Sequence, residues 1–446
     1  MTKSSAKIVL ATYGSFGDLH PYIALALELK RRGHAPVIAT SESYRAKIEA
    51  ENLELYPLRP DVPPAGEEEQ LIRRSLDPWR GMKVLFEEFM LADFQSSYDD
   101  LREATRDADL LISHQLAFAA PLLAEKYRTP WISTVLAPIT FFSAYDPSVP
   151  PLASWTFNLL RLLPPALIQL TSRIGESGVR SYVRAVDDMR ARVGLPPGAH
   201  PLFAGQHSPR LVLALFSKVF AQEQPDYPAH TEICGFPVYD RGDRAGSIAV
   251  DPEVQRFLDA GVPPVVFTLG SAAVSIAGDF FNESIAAVKL TGQRALLLVG
   301  DKSHLLNDDL PEGVRAFAYA PFGEVFPRAA AVVCSAGIGT IAQVMHAGVP
   351  TLAVPFTFDQ PDNAARLARL GISRTIVRAR YRAAPVAEHL RLLTTDKTYA
   401  TRAAEISLAI KLENGQSRAC DLIEKFLHAH SRQQPQSPQP DLIAHN

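Results

Sequence analysis

The sequence predicts an α/β protein made of two doubly wound domains that face each other across a cleft. In both halves of the chain, short apolar runs alternate with segments of helical periodicity. This alternation is typical of parallel strands joined by helical crossovers. The length of 446 residues also exceeds what one hydrophobic core organises, at roughly 150 residues per domain. Ligands of such folds bind beyond the carboxyl ends of the strands, so we expect the functional site at the cleft.

The first domain is expected to start with a strand over residues 7–12, a glycine turn, and a helix from about Pro21 to Arg32. Gly33 ends this helix, and the basic residues of its last turn suit the negative end of the helix dipole. A second helix is predicted near residues 117–127. The other strands predicted for this domain cover residues 37–40, 110–112, 131–135 and 211–214.

Residues 141–198 differ from this pattern because they are apolar, helical and interrupted by prolines. Their longest apolar stretch, residues 152–170, contains Arg161 and the pair Pro164-Pro165, whereas a membrane-spanning helix needs about 20 uninterrupted apolar residues. We therefore reject a transmembrane segment. Ordinary packing within and between the domains is one interpretation, and a surface that faces an apolar ligand or a lipid is the other. The large side chains concerned are Phe141, Phe142, Trp155, Phe157, Leu159 and Leu160.

The second half repeats the alternation after a polar, glycine-containing stretch that we interpret as an interdomain linker. A helix near residues 418–430 is expected to cross back to the first domain. The predicted boundaries are 1–235 for the first domain, 236–250 for the linker, 251–429 for the second domain, and 430–446 for a disordered tail rich in Gln, Pro and Ser. The strands predicted for the second domain cover residues 265–268, 295–299, 314–317, 331–333 and 351–354.

The composition excludes several classes of protein. Apolar residues make up 47% of the chain, which excludes a mostly disordered protein. The formal charge of −3, from 45 basic and 48 acidic residues, gives no general electrostatic case for binding nucleic acid. Cys234, Cys334 and Cys420 lie too far apart for a CxxC pair or a zinc-ligand spacing, so we expect neither a disulfide framework nor a metal site. The N-terminus has no signal-peptide pattern, so we expect a cytoplasmic protein, with peripheral contact at the inner membrane face as the alternative.

Small residues follow one strand of the second half, in the segment CSAGIGTIAQ of residues 334–343. Small residues allow backbone N–H groups to approach an anion at the N-terminus of the following helix, and Thr340 can add a hydroxyl donor. The alternative is an ordinary tight turn, which has the same composition.

Carboxylates and amides follow the next predicted strand, in the segment DQPDN of residues 359–363. Side chains of this kind suit the hydroxyl groups of a sugar. Helix capping by Asp359 or Asp362 is an equally good interpretation, and the two roles are compatible.

These segments together resemble the donor-binding signature of family-one glycosyltransferases. The resemblance also includes residues 347–350 (AGVP), residues 319–321 (YAP) and residues 269–271 (LGS). In the first half, residues 14–21 (GSFGDLHP) are similar to the first loop of bacterial rhamnosyltransferases and sterol glucosyltransferases. The resemblance implies the GT-B fold and an inverting transfer of a hexose from a nucleotide diphosphate sugar, UDP-glucose first and a dTDP-sugar second. It also implies that no metal is needed, because backbone amides and a helix dipole stabilise the leaving diphosphate.

The resemblance assigns most of these positions to the donor. In the family, the YAP segment lines the base, amides of the small-residue turn hold the diphosphate, and Gln343 stands where many relatives have a ribose-binding Glu. Asp359 and Gln360 correspond to residues that bind sugar hydroxyls, and Ser271 lies on a loop that faces the phosphates. The donor residues implied are Gly17, Ser271, Tyr319, Ala320, Pro321, Ser335, Gly337, Gly339, Thr340, Gln343, Asp359 and Gln360.

The acceptor's hydroxyl proton needs a general base. The resemblance implies Asp18, which occupies the position of the family's base in its antibiotic-type branch, and burial in the cleft would raise its pKa. From residue type alone, Asp18 is instead the N-cap of the helix expected near Pro21. His20 is the second candidate for the base. His114, at a strand end, either pairs with Asp18, faces the acceptor, or is an ordinary surface or cap residue.

Ser335 and Ala336 depart from the family, which usually has His and Gly at these positions. Ser carries no positive charge, and the methyl group of Ala336 can crowd a left-handed backbone. A non-catalytic, glycosyltransferase-like auxiliary protein is therefore one alternative, although a scaffold would have no use for Asp18 or Asp359. A GT-B sugar-nucleotide epimerase is another, opposed by the apolar middle segment. That segment instead implies an apolar acceptor such as a natural product, a sterol or a lipid, and the oligomeric state stays open.

Overall fold

The structure, a computed structural model, describes residues 5–77, 80–149, 163–239, 251–300 and 310–431. These residues form two separate parallel sheets, one in each half of the chain, which confirms the predicted fold class. The strands of the first sheet are β1 (Lys7–Ala11), β2 (Ala35–Thr40), β3 (Glu54–Pro57), β4 (Leu110–Ser113), β5 (Trp131–Val135), β6 (Val212–Ala214) and β7 (Thr231–Ile233). Those of the second are β8 (Val265–Thr268), β9 (Ala295–Leu298), β10 (Val314–Phe317), β11 (Ala331–Cys334), β12 (Thr351–Ala353) and β13 (Ser373–Thr375).

Helices connect these strands in both domains. The helices described in the first half are α1 (Phe16–Arg31), α2 (Arg45–Ala50), α3 (Ala65–Ser75), α4 (Gly81–Lys83, continued by a π-helical turn over Val84–Met90), α5 (Phe94–Ala104), α6 (Ala119–Tyr127), α7 (Pro165–Val179) and α8 (Arg184–Arg192). Those in the second half are α9 (Pro252–Asp259), α10 (Gly270–Val274), α11 (Phe280–Thr291), α12 (Phe322–Val325), α13 (Ile338–Ala347), α14 (Gln360–Arg369), α15 (Ala383–Thr395), α16 (Lys397–Lys411) and α17 (Gly415–Ser431).

The first sheet has the order β3-β2-β1-β4-β5-β6-β7, so the strand order reverses between β1 and β4. Its strands are apolar on both sides because helices cover both faces. In β1, Ile8 and Leu10 belong to the core on one face, while Val9 and Ala11 belong to the core on the other. The turns that follow β1 and β4 therefore lie at the point where doubly wound sheets bind ligands.

The second sheet has the order β10-β9-β8-β11-β12-β13, with the reversal between β8 and β11. Its strands are likewise apolar on both sides, since Val265 and Phe267 of β8 face one core and Val266 faces another. The LGS segment follows β8, and the small-residue turn follows β11. Both segments thus lie at the reversal point of their own sheet.

The last helix packs on the first domain. Ala419, Cys420 and Ile423 of α17 are fully buried in the same core as Tyr22 and Leu25 of α1. The two passages of the chain between the domains also touch, because a Cβ atom on Gly415 would lie 2.6 Å from the carbonyl carbon of Gly235. The end of the described chain is thus part of the first domain's core.

Two expectations about the first helix are wrong. The helix α1 begins at Phe16 rather than near Pro21, and its N-cap is Ser15 rather than Asp18. Pro21 lies inside the helix, where it has no N–H group to donate to the carbonyl oxygen of Gly17. The helix tolerates the lost bond because the Gly17 carbonyl lies at its first turn, next to the second domain.

Other predicted segments have varied outcomes. None of the helices among the described residues has the length and apolar character that crossing a bilayer requires. Phe141 is buried, and its ring stacks on Tyr227 at 4.1 Å between centroids, whereas Phe142 is half-exposed. Trp155, Phe157, Leu159 and Leu160, most of the linker and nearly all of the predicted tail lie outside the described residues.

Candidate functional site

The two domains touch at the turns after β1 and β11. A Cβ atom added to Gly339 would lie 3.3 Å from the Cα atom of Gly17, so the backbones approach as closely as two glycines permit. Since Gly17 precedes Asp18 and Gly339 begins the first turn of α13, the predicted carboxylate and the predicted diphosphate turn share one crevice. A side chain at Gly339 would press on the first domain at this point, whereas a Cβ atom at Gly17 would meet only Ser15 Oγ of its own turn, at 3.5 Å.

A small cavity of about 100 Å³ opens beside this contact. Its walls come from both domains and from the end of the first domain's chain near Tyr239. The lining residues that were predicted to bind the donor are Gly17, Ser271, Tyr319, Gly339, Thr340 and Gln343, and His20 lies on the same wall. The cavity therefore brings together six of the twelve positions that the motif resemblance assigned to the donor.

Asp18 is fixed by a capping box at the start of α1. Its Oδ2 atom accepts hydrogen bonds from the backbone N–H of Ser15 at 2.8 Å and from the Ser15 hydroxyl at 3.2 Å, while Ser15 Oγ accepts from the Gly17 N–H. Gly14 has a φ of +121°, and a Cβ atom there would lie 2.3 Å from Asp18 Oδ2. The turn thus needs glycine for its backbone and also for the space that the carboxylate occupies.

The carboxylate of Asp18 is desolvated by its surroundings, although 31% of the side chain is exposed. Burial raises the pKa of Asp18 to about 6, because the hydrogen bonds from Ser15 compensate only part of the lost hydration. The remaining oxygen, Oδ1, lies 3.9 Å from His114 Nε2. The group is therefore close to the protonation range that suits a general base near neutral pH.

His114 lies behind Asp18 at the end of β4. The side chain is 2% exposed, and neither ring nitrogen has a hydrogen-bond partner among the described residues. Burial lowers the pKa of His114 to about 3, so the imidazole is neutral and its contact with Asp18 is not an ion pair. Unpaired buried nitrogens are costly and rare, which marks His114 as a residue kept for a purpose other than packing. Its buried position favours pairing with Asp18 over the surface or capping interpretation.

His20 lies on a different side of α1. Its ring packs between Phe16, at 5.6 Å between centroids, and Tyr239, at 5.0 Å. Because His20 lines the small cavity beside Gln343 and Tyr319, it faces the predicted base and ribose of the donor. The histidine that contacts the Asp18 carboxylate at 3.9 Å is His114, whereas His20 lies on the wall of the small cavity and stays the second candidate for the base.

The turn after β11 contains a strained backbone. Ala336 has a φ of +65°, a conformation that costs a residue with a Cβ atom roughly 1–2 kcal/mol. Its methyl group is fully buried in a core shared with Ile341 and Met345, and Asn363 donates a hydrogen bond to its carbonyl oxygen at 3.0 Å. The left-handed backbone expected at this position is therefore present, and packing compensates for it.

The helix that follows has an uncapped N-terminus. Gly337 is the N-cap of α13, and no side chain caps the helix. The N–H groups of the first turn, which include those of Gly339 and Thr340, have no partner within the helix. A helix end of this kind binds anions through these amides and through its dipole.

Ser335 does not face a donor. The side chain is 2% exposed, and its hydroxyl donates to the carbonyl oxygen of Leu269 at 2.8 Å. Since a hydroxyl has one proton, Ser335 cannot also donate to a phosphate in this conformation. In this conformation the Ser335 hydroxyl ties the end of β11 to the loop after β8, which does not support its expected role as a donor contact.

Asp359 faces the same crevice from the start of α14. It occupies the N-cap position without making a capping bond, and its Oδ2 atom accepts from Asn363 Nδ2 at 2.6 Å. Burial, reinforced by the charge of Asp18, raises the pKa of Asp359 to about 7. The charge of Asp18 acts on Asp359 across the domain boundary, so the two carboxylates lie in the same part of the cleft.

Gln360 supports its own loop. The side chain is 4% exposed, and its Oε1 atom accepts from the N–H groups of Phe356 at 2.8 Å and Thr357 at 3.1 Å. Its oxygen is thus engaged in the loop before α14, which leaves only the amide nitrogen for a ligand. Of the two predicted sugar-binding side chains, Asp359 is the one that faces the cleft.

The remaining predicted donor residues surround the first turn of α13. Gly270 has a φ of +69°, and a Cβ atom there would lie 3.3 Å from Thr340 Oγ1. Ser271 follows in α10 and lines the small cavity. Tyr319 is half-buried at the cavity wall, while Ala320 and Pro321 are buried beneath it.

Two contributors at the cleft carried no motif signal. Tyr239 accepts a hydrogen bond through its carbonyl oxygen from Gln343 Nε2 at 3.3 Å, and its hydroxyl donates to Glu51 at 2.6 Å. Arg366 lies one turn beyond Asp362 and binds both Asp362 and Asp146 of the first domain. The contacts of both residues join parts of the chain that are far apart in the sequence, and such contacts leave no local pattern. The one sequence signal for Arg366 is its position four residues after Asp362 on α14, which is the spacing of an ion pair on a helix.

A larger cavity of about 630 Å³ lies in the first domain. It runs along α6 and the segment of residues 198–210, and His114 forms part of its wall. Cavities of this size typically hold drug-sized ligands. Among the described residues, no group of three or more His, Cys, Asp or Glu side chains is placed to hold a metal ion.

Comparisons with known proteins agree with this geometry. Residues 8–145 match the glycosyltransferase family 28 N-terminal domain, and residues 288–412 match the erythromycin biosynthesis protein CIII-like C-terminal domain. The chain is 31% identical over 439 residues to the O-mycaminosyltylonolide 6-deoxyallosyltransferase of Streptomyces fradiae, which spans 94% of this chain and 97% of that relative.

Solved structures share the whole architecture. The glycosyltransferase of kitacinnamycin superposes with a TM-score of 0.71 at 22% identity and covers 95% of this chain and 100% of its own. A spinosyn rhamnosyltransferase, solved in complex with thymidine diphosphate, gives a TM-score of 0.64 at 18% identity and covers 94% of this chain and 100% of its own.

Proposed function

Because this chain belongs to the glycosyltransferases of the GT-B fold, we propose that it transfers a hexose from a nucleoside diphosphate sugar to a hydroxyl group of an apolar small molecule, with inversion. The motif resemblance is thus confirmed for the family and for the fold. The donor, the acceptor and the residue roles are the content of the proposal.

One observation carries the proposal. A carboxylate of raised pKa in the first domain, Asp18, and the uncapped N-terminus of α13 in the second meet at the contact between Gly17 and Gly339. Inverting transfer needs a base on one side of the anomeric carbon and an anion-stabilising group on the other. These two groups stand on opposite walls of one crevice.

Asp18 is the proposed general base. Oδ2 is held by Ser15, so Oδ1 is the oxygen that takes the proton of the acceptor hydroxyl as that hydroxyl attacks the anomeric carbon. His114 is the proposed positioning residue. Its neutral ring lies 3.9 Å from Oδ1, and catalytic hydrogen bonds of this kind often shorten only when the substrates are bound. An N–H group of His114 would then orient the carboxylate without neutralising it.

The first turn of α13 is the proposed site for the diphosphate. The amides of Gly339 and Thr340 and the hydroxyl of Thr340 face the crevice, and the positive end of the helix dipole adds to them. As the bond to the anomeric carbon breaks, negative charge grows on the leaving diphosphate, and these donors stabilise it. Asp359 would bind hydroxyls of the transferred sugar.

The donor's identity follows two lines of support. The family resemblance implies UDP-glucose first and a dTDP-sugar second, whereas the structurally similar spinosyn rhamnosyltransferase was solved in complex with thymidine diphosphate. Both nucleotides present the same diphosphate to α13 and a pyrimidine base to Tyr319. We therefore propose a pyrimidine nucleoside diphosphate sugar, tested with UDP-glucose and dTDP-rhamnose in parallel.

The proposed acceptor is an apolar natural product. The relative from Streptomyces fradiae is named for a tylonolide substrate, and the cavity of about 630 Å³ beside His114 has room for an apolar ring system. Phe118 and Trp131 contribute apolar surface to that cavity. The peripheral membrane contact raised by the apolar middle segment finds no support in the comparisons and is not part of the proposal.

The test is direct. Purified protein is incubated with UDP-glucose or dTDP-rhamnose and a panel of macrolactone, phenolic and sterol acceptors, and products are identified by mass spectrometry and NMR. We expect a glycoside of inverted anomeric configuration. Absence of both glycoside and donor hydrolysis, together with no heat of binding for UDP or TDP in calorimetry, would favour the non-catalytic auxiliary protein instead.

A further inference from the structure

A buried arginine joins the two domains beside the proposed site. Arg366 of α14 is 2% exposed and donates from Nε to Asp362 Oδ2 at 2.7 Å. Its Nη1 atom donates to Asp146 of the first domain, and its guanidinium lies 5.8 Å from the centre of the Phe220 ring. Asp362 is itself fully buried. Burying these charges is expensive, so a group of this kind seldom serves stability alone.

The first-domain partner of this arginine is a loop that we call the bridging loop, residues 143–149. Its start is fixed within the first domain, because Asp226 accepts from the Ser143 hydroxyl at 2.6 Å and from the Ala144 N–H at 2.7 Å. Its end is fixed to the second domain, because Asp362 Oδ1 accepts from the Val149 N–H at 2.9 Å. The loop therefore spans the boundary between the domains.

The helix that holds the bridging loop also holds the donor side of the crevice. Asn363, next to Asp362, donates to Asp359 at 2.6 Å and to the Ala336 carbonyl at 3.0 Å. One turn of α14 thus connects the proposed sugar-binding carboxylate, the diphosphate turn and the bridging loop. A shift of this helix on donor binding would move the loop's attachment point with it.

The bridging loop also reaches the wall of the proposed acceptor cavity. Phe141, just before the loop, packs against His207 at 5.6 Å between ring centroids, and His207 lines the cavity. On its other side the Phe141 ring stacks on Tyr227, and both pack in the core cluster that contains Phe220, whose ring lies under the Arg366 guanidinium. A continuous set of contacts therefore runs from the arginine to the cavity wall.

We propose that Arg366, with Asp362 and Asp146, is a positioning group that couples the donor helix α14 to the bridging loop, so that the acceptor is retained only when the donor is in place. The proposal rests on the proposed transferase function. Its consequence is selectivity against water: with the loop held, the acceptor hydroxyl rather than water reaches the anomeric carbon.

Two variants test the coupling. Arg366→Lys keeps the charge but loses the fork that reaches both carboxylates. Asp146→Asn acts on the partner that is 17% exposed, so it removes the interdomain charge with less disturbance of the core. In both we expect KM for the acceptor to rise about 10-fold, within the usual range for coupled sites, and the ratio of donor hydrolysis to transfer to rise similarly. The Kd of UDP or TDP should stay within about twofold.

A matched control separates coupling from simple stabilisation. Arg32 is also a poorly exposed arginine that binds carboxylates on two elements, Glu28 of α1 and both Asp421 and Glu424 of α17, but it joins these helices away from the crevice. Arg32→Lys should lower the melting temperature without changing the hydrolysis ratio. If Arg366→Lys and Asp146→Asn also lower only the melting temperature, the group is structural and the proposal is wrong.

A second measurement does not depend on catalysis. Hydrogen exchange of the wild-type protein is followed with and without saturating UDP or TDP. We expect the nucleotide to slow exchange both in residues 337–340 and in the bridging loop, and the loop's protection to disappear in Asp146→Asn. Protection of residues 337–340 alone in the wild type would overturn the coupling and leave the transferase function intact. Absence of nucleotide binding altogether would instead remove the function on which it rests.

Discussion

The turn after β1 and the turn after β11 have similar places in their sheets, because each follows a strand at the reversal point and leads into a helix. The two helix N-termini nevertheless differ in the groups that lie at them. The N-terminus of α1 is filled by the protein's own carboxylate, through the capping box of Ser15 and Asp18. The N-cap of α13 is Gly337, which has no side chain to cap the helix, and the carboxylate that interacts with its first N–H group, that of Ile338, comes from Asp359 of another helix.

The two turns also differ in the residue that adopts a positive φ. The first turn uses Gly14 for its positive φ and has no Cβ atom to clash. The second turn uses Ala336 at a φ of +65° and stabilises it by packing. The comparison teaches that a turn beside the reversal point of a sheet can supply either a base or an anion site, depending on whether a side chain of the turn caps the helix.

The largest effect is expected at the turn after β1, which holds Asp18. Asp18→Asn keeps an oxygen to accept from Ser15, so the cap survives, but it removes the base. We expect kcat to fall about 10²- to 10⁴-fold, with the Kd of the donor unchanged by calorimetry. Asp109→Asn is the control, because Asp109 also accepts from a backbone N–H, that of Lys7, at 2.7 Å. Loss of donor affinity in Asp18→Asn would mean that its role is misassigned.

The pH profile of the wild-type protein belongs to the same prediction. Because the pKa of Asp18 is raised to about 6, kcat/KM should rise about tenfold per pH unit below that value and reach a plateau above it. The folded protein binds protons on Asp18 and Asp359 more tightly than the unfolded chain does, so these groups should lower stability as pH rises from about 4 to about 7. In Asp18→Asn the rise in kcat/KM should disappear.

A smaller effect on the same turn tests its geometry. Gly14→Ala places a Cβ atom 2.3 Å from Asp18 Oδ2, so the carboxylate must move, and we expect kcat to fall about 10²-fold, as for other misplaced catalytic groups. Gly33→Ala is a matched control, since Gly33 has a φ of +93° but nothing within 4 Å of a Cβ atom. If Gly14→Ala and Gly33→Ala lose similar stability but only Gly14→Ala loses kcat, glycine is needed at position 14 to position the Asp18 carboxylate. Equal kcat values would contradict this.

The turn after β11 is tested by a substitution at its contact with the first domain. Gly339→Ala places a methyl group 3.3 Å from the Cα atom of Gly17. We expect the Kd of UDP or TDP to rise about 10-fold, equivalent to about 1.4 kcal/mol. Gly337→Ala is the control in the same turn, because its Cβ atom would be 4.0 Å from its nearest neighbour, Ser335 Oγ. If both variants bind nucleotide as the wild type does, the contact between the glycines does not shape the site.

The smallest expected effect is at Ser335. Ser335→Ala removes the hydrogen bond to the Leu269 carbonyl and should lower the free energy of unfolding by about 1–2 kcal/mol. Chemical denaturation measures this change. Because the hydroxyl does not face the crevice, the Kd of the nucleotide should stay within about twofold. A 10-fold loss of affinity would restore Ser335 as a phosphate contact.

The sequence was sufficient for the central strands and for one edge strand, β10, and insufficient for the other three edge strands. The apolar runs of β1, β4, β8 and β11 are continuous because both faces of these strands are buried. The edge strands β3, β7 and β13 were not predicted, since short strands beside solvent contain polar residues such as Glu54, Glu232 and Arg374. The apolar pattern that predicts a strand therefore reflects the burial of that strand rather than the intrinsic β propensity of its residues.

The candidate site was likewise predicted only in part. The chemistry-bearing positions follow central strands, so motif and strand together placed Asp18, Thr340 and Asp359 at one crevice. What the sequence could not provide is which way each side chain turns. Ser335 turns to Leu269, Gln360 turns to its own loop, and His114 reaches Asp18 only through the order of the strands. Contacts such as Arg366 with Asp146 link residues more than 200 positions apart and carry no local pattern.

The contact between Gly235 and Gly415 has a mechanical consequence. The chain leaves the first domain at Gly235 and returns to it at Gly415, and the two glycines lie against each other. A single tether would let one domain tumble relative to the other, whereas two tethers held side by side act as a pivot. Two chain crossings held side by side are therefore expected to restrict the relative motion of the domains more than a single crossing would.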